Sequence, residues 1–211
     1  MKAIIGMATT NARREYSLKA IESLEGQHDG LILYNNDLYD NDLTDNGKFY
    51  GLNFLNEDVY YFTCDDDIIY PPTYVQDMIA KIEEHNCIVT HHGRRLRGLN
   101  RDYYNGHFGY RCLSFNPCDR LIQIAGTGVT AFKTSYFNPL NLAFAEDKRM
   151  SDCIFSLEAA KQGKDIMVLA HKEDYFKDLQ VPKELTIFEM EKGNTDRQMQ
   201  IANEIYKLKV K

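Results

Sequence analysis

The chain has 211 residues, 44% hydrophobic and 27% charged, which is enough apolar content for one ordinary globular core. Its formal charge of −6 argues against general binding to nucleic acid, since such domains carry a basic face. An acidic chain can still bind a phosphorylated ligand where a metal or local arginines supply positive charge.

The five cysteines (Cys64, Cys87, Cys112, Cys118, Cys153) include no CxxC pair. They point to neither a disulfide framework nor a thiolate zinc site, and a reducing compartment is expected. The apolar run before Thr9 is too short for a signal peptide, and no stretch approaches the roughly 18 apolar residues of a membrane span. A soluble, cytoplasmic protein is expected.

Residues 2–8, "KAIIGMA", read as a buried strand closed by Thr9, Thr10 and Asn11. Leu18, Ile21 and Leu24 then recur at helical spacing, with Gly26 as the stop. Residues 30–37 and 58–64 are a second and a third strand, the latter running into Asp65-Asp66-Asp67. Pro71 and Pro72 suit the first turn of a helix whose apolar face is Val75, Met78, Ile79 and Ile82. Residues 87–91 make a fourth strand.

Residues 93–119 are rich in Gly, Arg, Tyr and Asn and lack clean periodicity, which suggests irregular structure or a short hairpin beside the site. Regular structure resumes over residues 121–137. A helix is expected over 151–163 and a last strand over 165–171. An amphipathic C-terminal segment follows, with Met199, Ile201, Ile205 and Leu208 its apolar residues.

Strand–helix–strand alternation predicts an α/β domain with a mostly parallel central sheet flanked by helices, a single Rossmann-like unit without internal repeats. Such sheets bind ligands beyond the carboxyl ends of their strands. Three polar strand ends fall on that edge: Thr9-Thr10-Asn11, Asn35-Asn36-Asp37 and the aspartate triplet. They imply one site.

Asp65 and Asp67, two residues apart in an extended segment, point the same way and can converge on one hard cation, Mn²⁺ or Mg²⁺. Asp66 then points aside, to a ribose hydroxyl or a backbone amide. The alternative is that Asp67 caps the next helix and the others are solvated. His91 and His92 lie adjacent on a strand and face opposite ways, against a shared zinc. Arg94, Arg95 and Arg97 either offset diphosphate or acceptor charge or form a solvated basic turn. Tyr103, Tyr104 and Phe108 either stack on a sugar or base or pack in the interior.

In this order, the Thr-bearing first strand end, the aspartate triplet before aromatic-proline, Gly126-Thr127-Gly128 before "VTAF", and Ser151-Asp152 opening a helix resemble the GT-A glycosyltransferases. The resemblance spans about residues 2–175 and implies a single catalytic domain with a nucleotide-binding half at about residues 1–92 and an acceptor half at about 93–211. In scale and order the chain is also similar to the small GT-A domains of capsid-glycosylating enzymes of large algal viruses.

The resemblance implies a metal-dependent transfer of a sugar from a nucleotide diphosphate, a UDP-sugar, to a hydroxyl of a glycan or glycoprotein acceptor. By that resemblance Thr9, Thr10 and Arg13 match positions that hold base and ribose, and Asp37 one that contacts the base. Asp65 and Asp67 match the metal-binding DxD element, with Asp66 between them. The loop 126–128 matches one that cradles donor sugar and acceptor, and His171 a third metal ligand.

Asp152 matches the catalytic base of inverting members, although Ser151 stands where they carry a first acid. Glu146 and Asp147 are rival bases. A sugar-nucleotide pyrophosphorylase would need a glycine-rich loop after the first strand, which "GMATTNARRE" lacks. A non-catalytic nucleotide-sugar-binding module stays open.

Overall fold

The computed structural model describes residues 1–138, 140, 142–190 and 195–210. The chain opens with β1 (Ala3–Thr9), a 3-10 turn at Asn11–Arg13 and α1 (Arg14–Leu24). Next come β2 (Gly30–Asn35), a 3-10 stretch over Thr44–Phe54, β3 (Tyr60–Cys64), β4 (Ile68–Ile69) and α2 (Tyr74–His85). Six short strands follow: β5 (Ile88–Thr90), β6 (Gly93–Arg95), β7 (Phe108–Tyr110), β8 (Arg120–Ile122), β9 (Ile124–Ala125) and β10 (Val129–Lys133). The described chain ends with α3 (Ser151–Lys161), β11 (Ile166–Val168), β12 (Lys177–Asp178), α4 (Ile187–Met190) and α5 (Asp196–Lys209).

The central sheet has seven strands in the order β2-β1-β3-β10-β5-β11-β8. Strand β1 pairs parallel with β2 and β3, and β5 with β11. Strand β10 lies antiparallel between β3 and β5, and β8 runs antiparallel to β11. Most strands therefore share one direction, and helices flank the sheet, as the alternation of patterns predicts. The antiparallel insertion of β10 was not predicted. It matters because it carries the loop 126–128 to the same edge as the end of β3.

Strand β1 is largely buried because the sheet is covered on both faces, which is why it reads as a continuous apolar run. Side chains alternate: Tyr61 packs in one core with Phe49, Phe132 and Phe155, while Phe62 packs in the other with Ile5, Met7 and Met78. Gly6 has a specific task here. A Cβ at this position would sit 2.0 Å from the Lys48 carbonyl and 2.2 Å from the Tyr61 hydroxyl. Its absence lets the 44–54 stretch lie directly on β1, and the Tyr61 hydroxyl donates to the Lys48 carbonyl at 2.8 Å.

In two predicted helix faces one leucine turns outward while the rest of the face packs inward. In α1 the buried residues are Ser17, Ala20 and Leu24, while Leu18 is 56% exposed. In α5 they are Gln198, Ile201, Ala202 and Ile205, packed on α3, while Leu208 is 42% exposed. Small residues at Ala20 and Ala202 allow close approach, so the seam follows them and the bulkier leucines face out. Residues 93–119 hold the predicted hairpin, β6 with β7, and β9 adds a third strand to β6.

Candidate active site

A cleft of about 1410 Å³ lies at the carboxyl edge of the sheet, and the aspartate triplet lies within it. Because β1 and β3 are parallel neighbours, Thr9 ends beside the triplet, and its hydroxyl donates to Asp66 Oδ2 at 2.6 Å. One turn later Arg13 places the same Nη2 2.5 Å from Asp66 Oδ1 and 2.8 Å from Asp67 Oδ2. Its Nη1 donates to the Leu185 carbonyl at 3.1 Å, tying the triplet to the C-terminal segment. From the other side the buried Lys48 ammonium pairs with Asp65 Oδ1.

Two cations therefore answer the mutual repulsion of three adjacent carboxylates. Burial raises Asp66, with Arg13 and Thr9 working against that rise. Burial and the neighbouring Asp65 charge push Asp67 up to about 6, with Arg13 opposing. Burial alone would raise Asp65 as well, but the Lys48 ammonium outweighs it and holds this carboxyl below the usual range. Both Asp66 oxygens are engaged by Thr9 and Arg13, so within the triplet it is Asp65 and Asp67 that keep oxygens for a ligand. No protein group among the described residues hydrogen-bonds Asp65 Oδ2 or Asp67 Oδ1.

The register that sets Cys64 opposite Val129 brings Gly128 against Asp65. The Asp65 N–H donates to Tyr70 Oη at 2.8 Å and to the Gly128 carbonyl at 3.2 Å, and the Tyr70 hydroxyl donates to that carbonyl at 2.7 Å. A Cβ on Gly128 would lie 2.0 Å from Asp65 Oδ2, and one on Gly126 would meet the His92 ring at 2.6 Å. Small residues are required at both positions by these neighbouring side chains of the protein itself.

Thr127 turns from the cleft to hold Asp152, its N–H and its hydroxyl both 2.7 Å from Asp152 Oδ1. Asp152 occupies the first turn of α3, and the Ser151 N–H at that end donates to Asp45 Oδ2 at 3.0 Å. The 44–54 stretch thus caps α3 with Asp45 and supplies Lys48. His92 lines the same cleft; burial lowers its pKa, and the Asp152 and Asp65 carboxylates oppose that shift.

Thr9, Thr10, Arg13, Asp65, Asp66, Asp67, Gly126, Gly128 and Asp152 all line the cleft. Asp37 does not: it accepts the Asn11 N–H at 2.5 Å on the exposed rim. His171 does not either. Just past β11 it forms a bridge with Asn116, and its Nδ1 lies 3.2 Å from His91 Nδ1 and 3.0 Å from the Leu169 carbonyl. Its Nε2 lies 3.3 Å from the Arg111 carbonyl, so both ring nitrogens face protein groups. Aromatic packing with Tyr175 and Phe176 holds it there. Of the rival bases, Asp147 is forked by Arg197 at 2.9 and 2.7 Å, and Glu146 lies outside the cleft lining.

Reading the sequence missed Lys48, Asp45, Tyr70 and the segment from Asp178 to Glu189, all of which line or support the cleft. The one available signal was a lysine between Gly47 and Gly51 in an aperiodic stretch. Among the described residues, one trio of potential ligands has its donor atoms within 4.8 Å of one another: Glu84, His85 and Asp119. Lys81 already bridges its two carboxylates at 2.8 and 3.0 Å. No described helix is long and apolar enough to cross a membrane.

No family model matches the chain, and no curated protein matches it. Among solved structures it is similar to the crystal structure of A197 from STIV, with 14% identity, 84% of each chain covered and a TM-score of 0.49.

Proposed function

We propose that the chain is a GT-A-type glycosyltransferase that moves a sugar from a nucleotide diphosphate, a UDP-sugar, to an acceptor hydroxyl. One observation carries the reading. In a single cleft at the carboxyl edge of the sheet, Asp65 and Asp67 each keep one carboxylate oxygen unengaged among the described residues, and Asp152 lines the same cleft with Oδ1 fixed by Thr127 and no hydrogen bond to Oδ2 from a described residue. The cleft volume of about 1410 Å³ exceeds the roughly 300–1,000 Å³ of a typical small-ligand pocket. Donor and acceptor can therefore share it.

The donor set suits a hard divalent cation, since both open atoms are carboxylate oxygens. Two protein oxygens leave most coordination positions to phosphate and water, as Mg²⁺ and Mn²⁺ sites on nucleotides commonly do. When bound, the cation would act as a Lewis acid on the leaving diphosphate. Lys48 and Arg13 hold the triplet in place and add positive charge behind it. Asp152, oriented by Thr127, would accept the acceptor's proton as the hydroxyl attacks from the face opposite the leaving group, which inverts the anomeric centre.

A second reading rests on Lys48 and Arg13, which already place two cations on the triplet. They would let a nucleotide sugar bind without metal in a module that does no chemistry. Thermal stabilisation by a panel of nucleotide sugars, with Mn²⁺ and with a chelator, separates the two readings. Stabilisation that needs Mn²⁺, with turnover, supports the transferase. Equal stabilisation in chelator without turnover or slow hydrolysis supports the module. A product with retained configuration would remove Asp152 from the role of base.

A further inference from the structure

The chain is acidic overall, yet residues 93–120 hold six arginines against two aspartates, Asp102 and Asp119. Neither aspartate neutralises them. Asp119 is taken by Lys81 and His85, and Asp102 Oδ1 accepts the backbone N–H groups of Tyr104 and Asn105. Among the described residues none of the six has a carboxylate at ion-pair distance; Arg13 and Arg197 do.

Three of the six are seated on aromatic rings instead. Arg94 lies 4.8 Å from the Tyr103 ring centroid and 5.2 Å from that of Tyr104, Arg97 lies over Phe108 and Arg120 over Tyr110. Stacking fixes the plane of a guanidinium through its face and leaves its N–H edge for a ligand, which pre-organises it for a carboxylate or phosphate.

The structure sorts these arginines by position. Arg94 and Arg111 line the cleft, with Tyr103 and Tyr104, whereas Arg95, Arg97, Arg101 and Arg120 do not. Both line the same cleft as His92 and Asp152, and the β6–β7 register, Gly93 opposite Tyr110 and Arg94 opposite Gly109, brings Arg111 to the end of the hairpin beside Arg94. The cations at the donor end, Lys48 and Arg13, are separate from this pair and are already engaged by the triplet.

We propose that Arg94 and Arg111, with Arg94 held on Tyr103 and Tyr104, form a subsite for an anionic group on the acceptor. The acceptor class is then an acidic sugar, bearing a carboxylate or a phosphate or sulfate ester, in place of a neutral glycan. The assignment to the acceptor rests on the glycosyltransferase reading; the preference for an anion does not.

The test measures binding to the full chain by protein-observed NMR, without nucleotide. The probes are methyl glucuronide, glucose 6-phosphate, glucose 6-sulfate and, as the neutral reference, methyl glucoside. At least one acidic sugar should bind about 10- to 100-fold more tightly than the neutral one, as a charge-assisted hydrogen-bond pair allows. The preference should collapse in both Arg94→Gln and Arg111→Gln. Carboxylate and ester arms show which anion fits. Equal affinity for acidic and neutral sugars, or a preference that survives both substitutions, overturns the subsite.

UDP with Mn²⁺, titrated into the same variants, distinguishes the two levels of the argument. Unchanged UDP affinity supports the acceptor assignment, and loss of UDP binding in Arg94→Gln or Arg111→Gln overturns it in favour of the donor. If wild type binds no UDP but keeps the acidic-sugar preference, the anion subsite holds and the transferase reading fails.

Discussion

Lys48 and Asp65 are ion-paired at the floor of the cleft, with the lysine side chain 5% exposed and the aspartate 40%. The pairing is asymmetric: Lys48 has lost its water, while Asp65 retains contact with solvent and with any ligand in the cleft. Burial alone would lower the lysine, but Asp65 and Asp45 outweigh it and keep the ammonium charged. Lys48 therefore competes with a divalent cation for Asp65 while also helping to position it.

Lys48→Met should lower stability by about 1–3 kcal/mol. That is less than the roughly 3–5 of a fully buried broken pair, because water reaches Asp65 and screens its charge. The same change should make Mn²⁺ alone stabilise the variant more than the wild type. Melting curves with and without Mn²⁺ check both effects; a variant that melts as wild type and responds equally to Mn²⁺ contradicts them.

Gly128 offers a test in which stability and binding separate. The Cβ of Gly128→Ala would need to displace the Asp65 carboxylate by more than an ångström, since it starts 2.0 Å from Oδ2. Overpacking of this kind costs about 1–3 kcal/mol. Metal-dependent stabilisation by UDP should vanish even so, as it should in Asp67→Ala. Gly163→Ala lies at φ +70 with nothing within 4 Å and serves as the strained control: it should lose stability and keep the UDP response. Retention of that response in Gly128→Ala would mean that Asp65 is not a metal ligand.

The strands were legible because buried runs such as "KAIIGMA" and "YYFTC" are apolar on both faces, and polar residues mark their ends at Thr9 and Asp65. The direction of β10 was not legible, since an apolar run reads the same whichever way its neighbours point. Lys48 was hidden because a 3-10 stretch lying on a glycine of β1 leaves no periodicity in its own sequence. His171 was misread because its place is set by tertiary packing: the chain turns after Val168 and sends the ring to His91. The cleft residues that sequence did expose, Asp65, Asp67, Gly128 and Asp152, all sit at the ends of regular elements, where polarity contrasts with an adjoining core.

Thr127 and Asp152 form the next testable pair. Thr127→Val keeps the shape and the backbone N–H but removes the hydroxyl shared by Ser151 and Asp152. With one of its two orienting bonds gone, Asp152 should lose about tenfold in transfer rate, while Asp152→Asn should lose roughly 10²–10⁴-fold. Donor affinity should be unchanged in both, because neither group touches the aspartate triplet. Steady-state transfer rates beside UDP titrations give the split, and a rise in donor Kd without loss of rate would place Asp152 in donor binding.

His91, buried just behind the cleft residue His92, provides a pH test on stability. It is 3% exposed, with rings of Tyr175 and Phe176 about 5.2 and 5.1 Å away, and its Nε2 has no hydrogen-bond partner among the described residues. Burial, reinforced by His171, lowers its pKa to about 3 from an ordinary 6.5. The unfolded chain therefore binds a proton at this residue below pH 6.5, and the folded chain does not until about pH 3. His91 thus favours the folded state fully above 6.5, and that contribution is lost as pH falls through the window. The loss should run at about 1.4 kcal/mol per pH unit below pH 6. His91→Gln cannot take up that proton when unfolded, so its stability should fall less steeply with acid by about that amount. Urea unfolding of both proteins at pH 7, 6, 5 and 4 measures the difference between slopes, which cancels the carboxylates that the two share. Parallel curves would show that the folded state accommodates a protonated His91, with the His91–His171 pair taking up the charge.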